Sequence, residues 1–437
     1  MIQALLRTPA PRLNQPTVFK LPCGLTLIAE QMPIDVVTLD IWARVGSAME
    51  PDEINGMAHF LEHMVFKGTE RLKAGEFEQR VEARGASMNA ATSQDYTHFY
   101  ITTAPKDFEE LAPLQLDLVF NPLIPDPDFE PERQVVLEEI LRSEDNPQRR
   151  GYRHMIESCF ERLPYRRQVL GPAAVVETVT PAQMREFHAR WYRPENLTIV
   201  AVGNLPVETL RRTVEAAIPE HFKTAQTNPA PHSSPSLPPS ALLPEPPLQQ
   251  VQRHEFTDPA LQQTRMSMSW RVPGLQHIDD TYSLDVLASI LSQGRTSRLV
   301  QDLREQRSLV TSVSASNADY WAQGLFTIST RLEAENLEAV EALIVEHLHR
   351  LRNTPVTEAE ISRVRTQVAN RFVFGNERPS DRAGLYGYYQ TLMGDLEPAF
   401  NYPEIIRSIT AEDLQEAALR YLNPEAYTFV VIRPEAK

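Results

Sequence analysis

Along the chain, apolar and polar positions follow two alternating periodicities. Short runs dense in β-branched and aromatic residues, at 25–30, 36–45, 97–103, 197–202, 265–272, 325–331 and 428–432, predict strands. Longer stretches with apolar residues three and four apart, at 56–66, 74–84, 107–119, 130–142, 281–291 and 337–350, predict amphipathic helices. The strands come in groups with helices between them rather than in strict alternation. The expected class is therefore α+β, with mostly antiparallel sheets packed by helices.

The pattern also repeats. VTPAQMREFHARWYRPENLTIVAVGN, ending at Asn204, reads like ITAEDLQEAALRYLNPEAYTFVVIRP, ending at Pro434. A single offset of 230 residues lays Thr180 on Thr410, Arg190 on Arg420, Pro194 on Pro424 and Thr198 on Thr428. Each copy predicts a threonine-capped amphipathic helix, a proline stop and an apolar strand. Internal duplication explains the match. Between the copies, residues 223–250 are rich in Pro, Ser and Ala. Proline at that density continues neither a helix nor a central strand, so a semi-extended linker is expected there. The predicted layout is a first domain at 1–222, a linker at 223–250 and a second, homologous domain at 251–437.

A length of 437 residues fits two such domains, and 42% hydrophobic with 23% charged residues is the balance of a folded chain. No apolar run approaches the roughly 20 residues needed to span a bilayer. The start, MIQALLRTPAPRLNQP, lacks the parts of a signal peptide, so a cytoplasmic protein, or the mature form of an imported one, is expected. A net charge of −15 argues against nucleic acid and anionic membranes as partners and leaves room for basic or neutral peptides. Two cysteines, Cys23 and Cys159, supply neither a disulfide framework nor a thiolate metal site, and both are expected to be reduced and buried. Any metal must then be held by histidine and carboxylate.

That chemistry is concentrated in Asn55-Gly-Met-Ala-His59-Phe-Leu-Glu62-His63-Met-Val-Phe-Lys-Gly68. Residues 57–66 are good helix formers, and Gly68 stands where a helix would stop. Positions four apart share a helix face, so the His59 and His63 imidazoles point the same way, as two ligands of one Zn²⁺ must. Glu62 lies beside His63, where it can take a proton from an attacking water without being a ligand. The order His-x-x-Glu-His reverses the thermolysin-type motif and marks the inverzincins. A His pair on a helix is common and usually inert, so a further ligand is required. Downstream, Glu130-Pro-Glu132-Arg-Gln-Val-Val-Leu-Glu138-Glu139-Ile-Leu-Arg predicts a second helix, with Val135, Val136 and Ile140 as its apolar stripe. Glu132 and Glu139 lie two turns apart on one face, and a carboxylate would complete the protein ligands of a zinc site with one open position.

On these residues the sequence resembles the pitrilysin family, which includes insulin-degrading enzyme and the mitochondrial processing peptidases. The resemblance implies that Glu139 is the third zinc ligand, that Glu132 is a further carboxylate supporting the catalytic cluster, and that Glu62 is the general base. It also implies that Asn89, Ala90, Ala91 and Thr92, within Gly85-Ala-Ser-Met-Asn-Ala-Ala-Thr, form an edge strand to which substrate adds. A plain hairpin edge remains the alternative reading of that segment. The implied protein is a zinc endopeptidase of two facing domains that cleaves extended peptides in a chamber closed by a dimer. The second half keeps no metal set: the offset carries His59, Glu62 and His63 onto Ser289, Ser292 and Gln293, and Glu139 onto Ala369. The family binds substrate there through an Arg and a Tyr seven residues apart. Arg304 is present, but Thr311 stands at the tyrosine position. The expected assembly is a heterodimer with a paralogous subunit that carries the pair, or else a homodimer. The competing expectation is a non-catalytic subunit resembling the core proteins of respiratory complex III.

Overall fold

A computed structural model describes residues 14–223 and 242–435. The first N-terminal residues and most of the linker predicted at 223–250 lie outside the described residues. Apart from single-turn pieces, the first half runs β1 (Thr17–Lys20), β2 (Thr26–Gln31), β3 (Val37–Ala43), α1 (Met57–Val65), α2 (Glu76–Ala83), β4 (Ser87–Thr92), β5 (Thr97–Thr103), α3 (Pro105–Phe120), α4 (Asp126–Asp145), α5 (Pro147–Cys159), α6 (Pro181–Trp191), β6 (Leu197–Gly203) and α7 (Val207–Ala217). The second, again apart from single-turn pieces, runs β7 (Gln252–Thr257), β8 (Thr264–Pro273), α8 (Ile278–Ser292), a π-helical segment (Val300–Gln306), β9 (Ser312–Ala318), β10 (Gln323–Leu332), α9 (Leu337–Asn353), α10 (Glu358–Phe374), α11 (Pro379–Met393), α12 (Glu397–Ser408), α13 (Ala411–Tyr421) and β11 (Thr428–Arg433).

Each half builds one sheet, and the two sheets share a topology. The first has the order β1-β2-β6-β3-β5-β4 and the second β7-β11-β8-β10-β9. In both, one parallel pair (β2 with β6, β7 with β11) joins an otherwise antiparallel ladder. The fold is α+β and duplicated. The repeated helices begin where the sequence placed their caps: Thr180 and Thr410 each accept from the backbone three residues on, and Gln183 and Asp413 return the bond.

The strands β3 and β6 are buried along their whole length, which requires cover on both faces. On one face Leu39, Ile41, Phe99 and Ile199 pack with Phe60, Leu61 and Met64 of α1 and Leu111 of α3. On the other, Trp42, Val200 and Val202 pack with Ala383 and Tyr386 of α11, a helix of the second half. The exchange is reciprocal, because α5 of the first half lies on β8 and β11. Each exchanged helix has a glycine at the contact. A Cβ at position 387 would fall 2.1 Å from Trp42 Nε1, and one at 151 would fall 3.2 Å from Ile432 Cδ1.

Two expectations are corrected. Val135 is not part of the apolar stripe of α4; it is 47% exposed, and Phe129, Val136 and Ile140 form the buried side. Cys23 is only partly buried, whereas Cys159 is buried, and both are free thiols. In the described end of the linker, the buried Glu245 accepts from the backbone N–H groups of Glu161, Arg162 and Leu163 at 2.9, 2.7 and 2.8 Å. No helix among the described residues is long and apolar enough to cross a membrane.

Candidate metal centre

The helix α1 starts at Gly56, whose φ of 100° suits glycine and whose missing side chain cannot cap the helix. Glu50 supplies the cap from the preceding turn. Its carboxylate accepts from Ala58 N at 2.6 Å, Gly56 N at 2.8 Å and Asn55 Nδ2 at 2.8 Å. A negative charge here also opposes the positive end of the helix dipole. Burial nevertheless pushes the Glu50 carboxyl up to about 7, against the pull of these donors. With Phe60, Leu61, Met64 and Val65 sunk in the core, α1 is fixed in rotation and its remaining face carries His59, Glu62 and His63.

Across from it, α4 presents Glu132 and Glu139 on one face, as their spacing predicts. Glu139 Oε2 lies 3.5 Å from His59 Nε2 and 3.6 Å from His63 Nε2. The ligand atoms of these three residues all fall within 4.8 Å of one another, and they are the one such His/Cys/Asp/Glu group among the described residues. Ligands at about 2.0–2.1 Å around a tetrahedral ion stand about 3.3 Å apart, so the two shorter separations fit a divalent ion between them. Two imidazoles and one carboxylate are also the donor set that Zn²⁺ takes when one position stays open.

The other side of His63 is held. Its Nδ1 meets Glu132 Oε1 at 2.9 Å, and Lys67 Nζ pairs with Glu132 Oε2 at 2.5 Å. Burial lowers His59, and the neighbouring His63 charge lowers it further, to about 4, so it stands neutral and able to coordinate. Burial also works against His63, but Glu132 and Glu139 overcome it and lift this imidazole to about 9. Glu132 and Glu139 lie below the usual carboxylate range; for Glu132, His63 and Lys67 outweigh burial, and for Glu139 the bond to His63 leads. A metal entering the site must therefore displace a proton from His63.

Glu62 sits beside the three and its carboxylate accepts from Thr92 Oγ1 at 2.5 Å. Burial raises it above the ordinary range, and that Thr92 bond restrains the rise. Thr92 ends β4, which is the open edge of the first sheet, and α1 packs against it. Along β4, Asn89 and Ala91 are exposed while Ala90 and Thr92 are half-buried, so one side chain in two turns toward the helix. The structure thus brings together His59, Glu62, His63, Glu132, Glu139 and the edge strand.

It does not bring Arg304 to them. Arg304 donates to its neighbour Glu305 at 2.9 and 2.7 Å. The Thr311 hydroxyl is engaged inside the second half, by Gln263 Oε1 at 3.0 Å and the Arg331 carbonyl at 3.2 Å. At the place equivalent to the metal cluster, Ser289, Ser292 and Gln293 line a cavity of about 770 Å³. There Ser292 Oγ accepts from Ala315 N of β9 at 2.7 Å, an echo of the contact between Glu62 and β4. Glu50 and Lys67 were missed from the sequence. An unprovided cap at Gly56 was the one available hint of Glu50, and nothing local marked Lys67.

The profile described as "Insulinase (Peptidase family M16)" matches residues 25–173, and "Peptidase M16 inactive domain" matches residues 178–368. A Rickettsia bellii protein named an uncharacterized zinc protease is 27% identical over 415 residues, covering 95% of this chain and 97% of the relative. The zinc protease PqqE of Helicobacter pylori is 25% identical over 401 residues, covering 91% and 88%. Among solved structures, a protease from Helicobacter pylori superposes with a TM-score of 0.86 at 24% identity, covering 96% of this chain and 99% of that one. A chain of complex III2 from Candida albicans, bound to Inz-5, superposes with a TM-score of 0.78 at 16% identity, covering 95% of each.

Proposed function

The chain belongs to peptidase family M16, and on that premise we propose that it is a zinc-dependent endopeptidase acting on extended peptides. The observation that carries this reading is the convergence of His59, His63 and Glu139 from two helices beside the raised carboxylate of Glu62. Zinc held by those three residues would supply Lewis-acid polarisation at an open position. Glu62 accepts the proton of the attacking water and returns it to the leaving amine, a role its elevated basicity suits. Glu132 orients His63 without touching substrate. The open edge β4 takes the peptide as an added strand, with main-chain bonds fixing its register and the Asn89, Ala90 and Ala91 positions reading alternate side chains.

The second half contributes binding rather than chemistry. Because Thr311 replaces the family's tyrosine and is tied to Gln263, the working enzyme is a heterodimer with a paralogous chain that carries both Arg and Tyr. The likeness to a complex III2 chain supports the other reading, a structural subunit, and the experiment separates the two. The purified chain, alone and mixed with a paralogue, is assayed against a peptide library with and without chelator, and its metal content is measured. One zinc per chain, lost in Glu139→Gln, together with cleavage abolished by at least 100-fold in Glu62→Gln, is expected. Undiminished cleavage by Glu62→Gln, or no cleavage in any mixture, overturns the catalytic reading.

A further inference from the structure

Outside the metal cluster, a recess on the second sheet of this acidic chain is lined by two arginines, Arg265 and Arg331. In the β8–β10 ladder Arg265 stands directly opposite Arg331, so two guanidinium-bearing side chains leave the same face of the sheet as cross-strand neighbours. Like charges so placed cost stability unless an anion lies between them. Arg331 is exposed, and its guanidinium has no hydrogen bond or ion pair among the described residues. Arg265 is half-buried, its Nη1 donating to the Pro147 carbonyl at 3.2 Å. Burial, followed by the Arg331 charge, holds the Arg265 guanidinium below its usual range. The acid that acts on Arg265 is Asp258, which is already occupied by Arg150 through Nε at 2.8 Å and Nη2 at 2.7 Å.

Serines surround the pair. Register sets Ser312 of β9 across from Arg331, and in the next row Ser314, Ser329 and Ser267 stand side by side on β9, β10 and β8. The patch is two forks of N–H donors above a floor of hydroxyls, within a cavity of about 370 Å³. Planar, bidentate donors on a small-residue floor match a carboxylate. The cavity opens at β9, the free edge of the second sheet. Its far wall is α5, where Gln148 and Tyr152 also line an adjoining cavity of about 330 Å³ that contains Arg149. Arg149 is the arginine whose charge acts on Glu139.

We propose that Arg265 and Arg331 form a carboxylate-binding subsite for a peptide whose reacting bond lies at the metal cluster. This rests on the peptidase reading. Glu139 and Pro147 are joined by the last turns of α4, which puts the two sites on the order of 15 Å apart, four or five extended residues. The carboxylate comes either from the peptide's C-terminus or from an acidic side chain near it. The subsite thus selects against the chain's overall negative charge, which by itself would favour basic peptides.

The test uses the full-length Glu62→Gln chain, which cannot turn peptide over, and fluorescein-labelled octapeptides of one common sequence. These end in Ala-Ala as the free acid, Ala-Ala as the amide, or Glu-Glu as the amide, and binding is read by anisotropy. At least one carboxylate-bearing peptide binds tenfold or more tighter than the neutral amide. Tight binding by the Ala-Ala acid identifies the terminus as the source, and tight binding by the Glu-Glu amide identifies the side chain. Arg331→Gln, at an exposed position where folding is not at risk, removes that discrimination, and Arg265→Gln/Arg331→Gln removes it equally. Equal binding of all three peptides, binding of none, or discrimination that survives Arg331→Gln overturns the subsite. If wild type still cleaves peptides in that case, the peptidase reading stands. Discrimination without any cleavage by wild type, alone or mixed with the paralogue, sinks the peptidase reading instead.

Discussion

At the proposed metal cluster a single carboxylate, Glu132, sets the orientation of the His63 ring. By holding Nδ1 at 2.9 Å it directs Nε2 toward Glu139 and fixes the ring's orientation. Partners of this kind typically govern metal affinity by 10- to 100-fold. Glu132→Ala should therefore weaken zinc binding by about that factor in a competition titration against a chelator, with the far-UV circular dichroism unchanged. Loss of helical signal together with affinity would assign Glu132 to folding instead. The faces that meet at the cluster were legible in the sequence because helical spacing is itself a geometric statement: four residues for His59 and His63, seven for Glu132 and Glu139. Glu50, Lys67 and the bond from Thr92 to Glu62 were not legible, because each depends on which distant turn or strand returns to α1. The exposure of Val135 was hidden for a related reason. Which of two adjacent valines faces the core is set by the rotation of α4, and its neighbours Phe129 and Ile140 fix that rotation.

Helices show the same division. Those whose signals are local, such as the two capped by Thr180 and Thr410, stand where the sequence predicted them. The helix α11 does not advertise itself: PSDRAGLYGYYQTLM has two glycines and three tyrosines, poor material for an isolated helix, and it forms because the other half's sheet covers it. The helix α5, with three arginines and a glycine, is likewise held by the sheet it crosses. Two caps give measurable consequences. Removing the Glu50 side chain strands the first N–H groups of α1, so Glu50→Ala should cost about 1–3 kcal/mol in a urea melt and reduce bound zinc with it. Glu360 caps α10 through Thr357 and pairs with Arg298 at 2.6 and 2.9 Å. Burial opposes ionisation there, but Arg298 and the Thr357 backbone win and bring the carboxyl down from 4.5 to about 2. A depressed carboxylate stabilises above its unfolded value and loses that contribution as acid protonates the folded form. The stability gap between wild type and Glu360→Gln, about 2 kcal/mol at pH 6, should hence shrink as pH falls from 4.5 toward 2. A gap that stays constant across that window would show that the pair carries no such linkage.

At the scale of the whole molecule, the question is whether a duplicated chain behaves as two domains or as one. The repeated units and proline-rich span read as two separable bodies, and sequence periodicity cannot reveal that each has given a helix to the other. Since α11 closes the outer face of the first sheet and α5 lies on the second, neither half has a complete covering of its own. Buried polar contacts fasten the exchange. Arg382 of α11 pairs with Glu30 of β2 at 2.8 Å, and the Tyr386 hydroxyl donates to the same carboxylate at 2.8 Å. Asp95 of the first half accepts from Trp321 N at 2.9 Å in the second. Unfolding one half must therefore expose apolar surface on the other, and the chain should melt in a single calorimetric transition with matching van't Hoff and calorimetric enthalpies. Arg382→Leu leaves Glu30 charged and buried without its partner, a change that costs about 3–5 kcal/mol. If the halves are coupled as the exchange requires, that one substitution in the second half lowers the melting of both together, whether followed through the first sheet or the second. Two resolved transitions, with only one of them displaced, would mean that the halves fold on their own and that the exchanged helices merely rest on their neighbours.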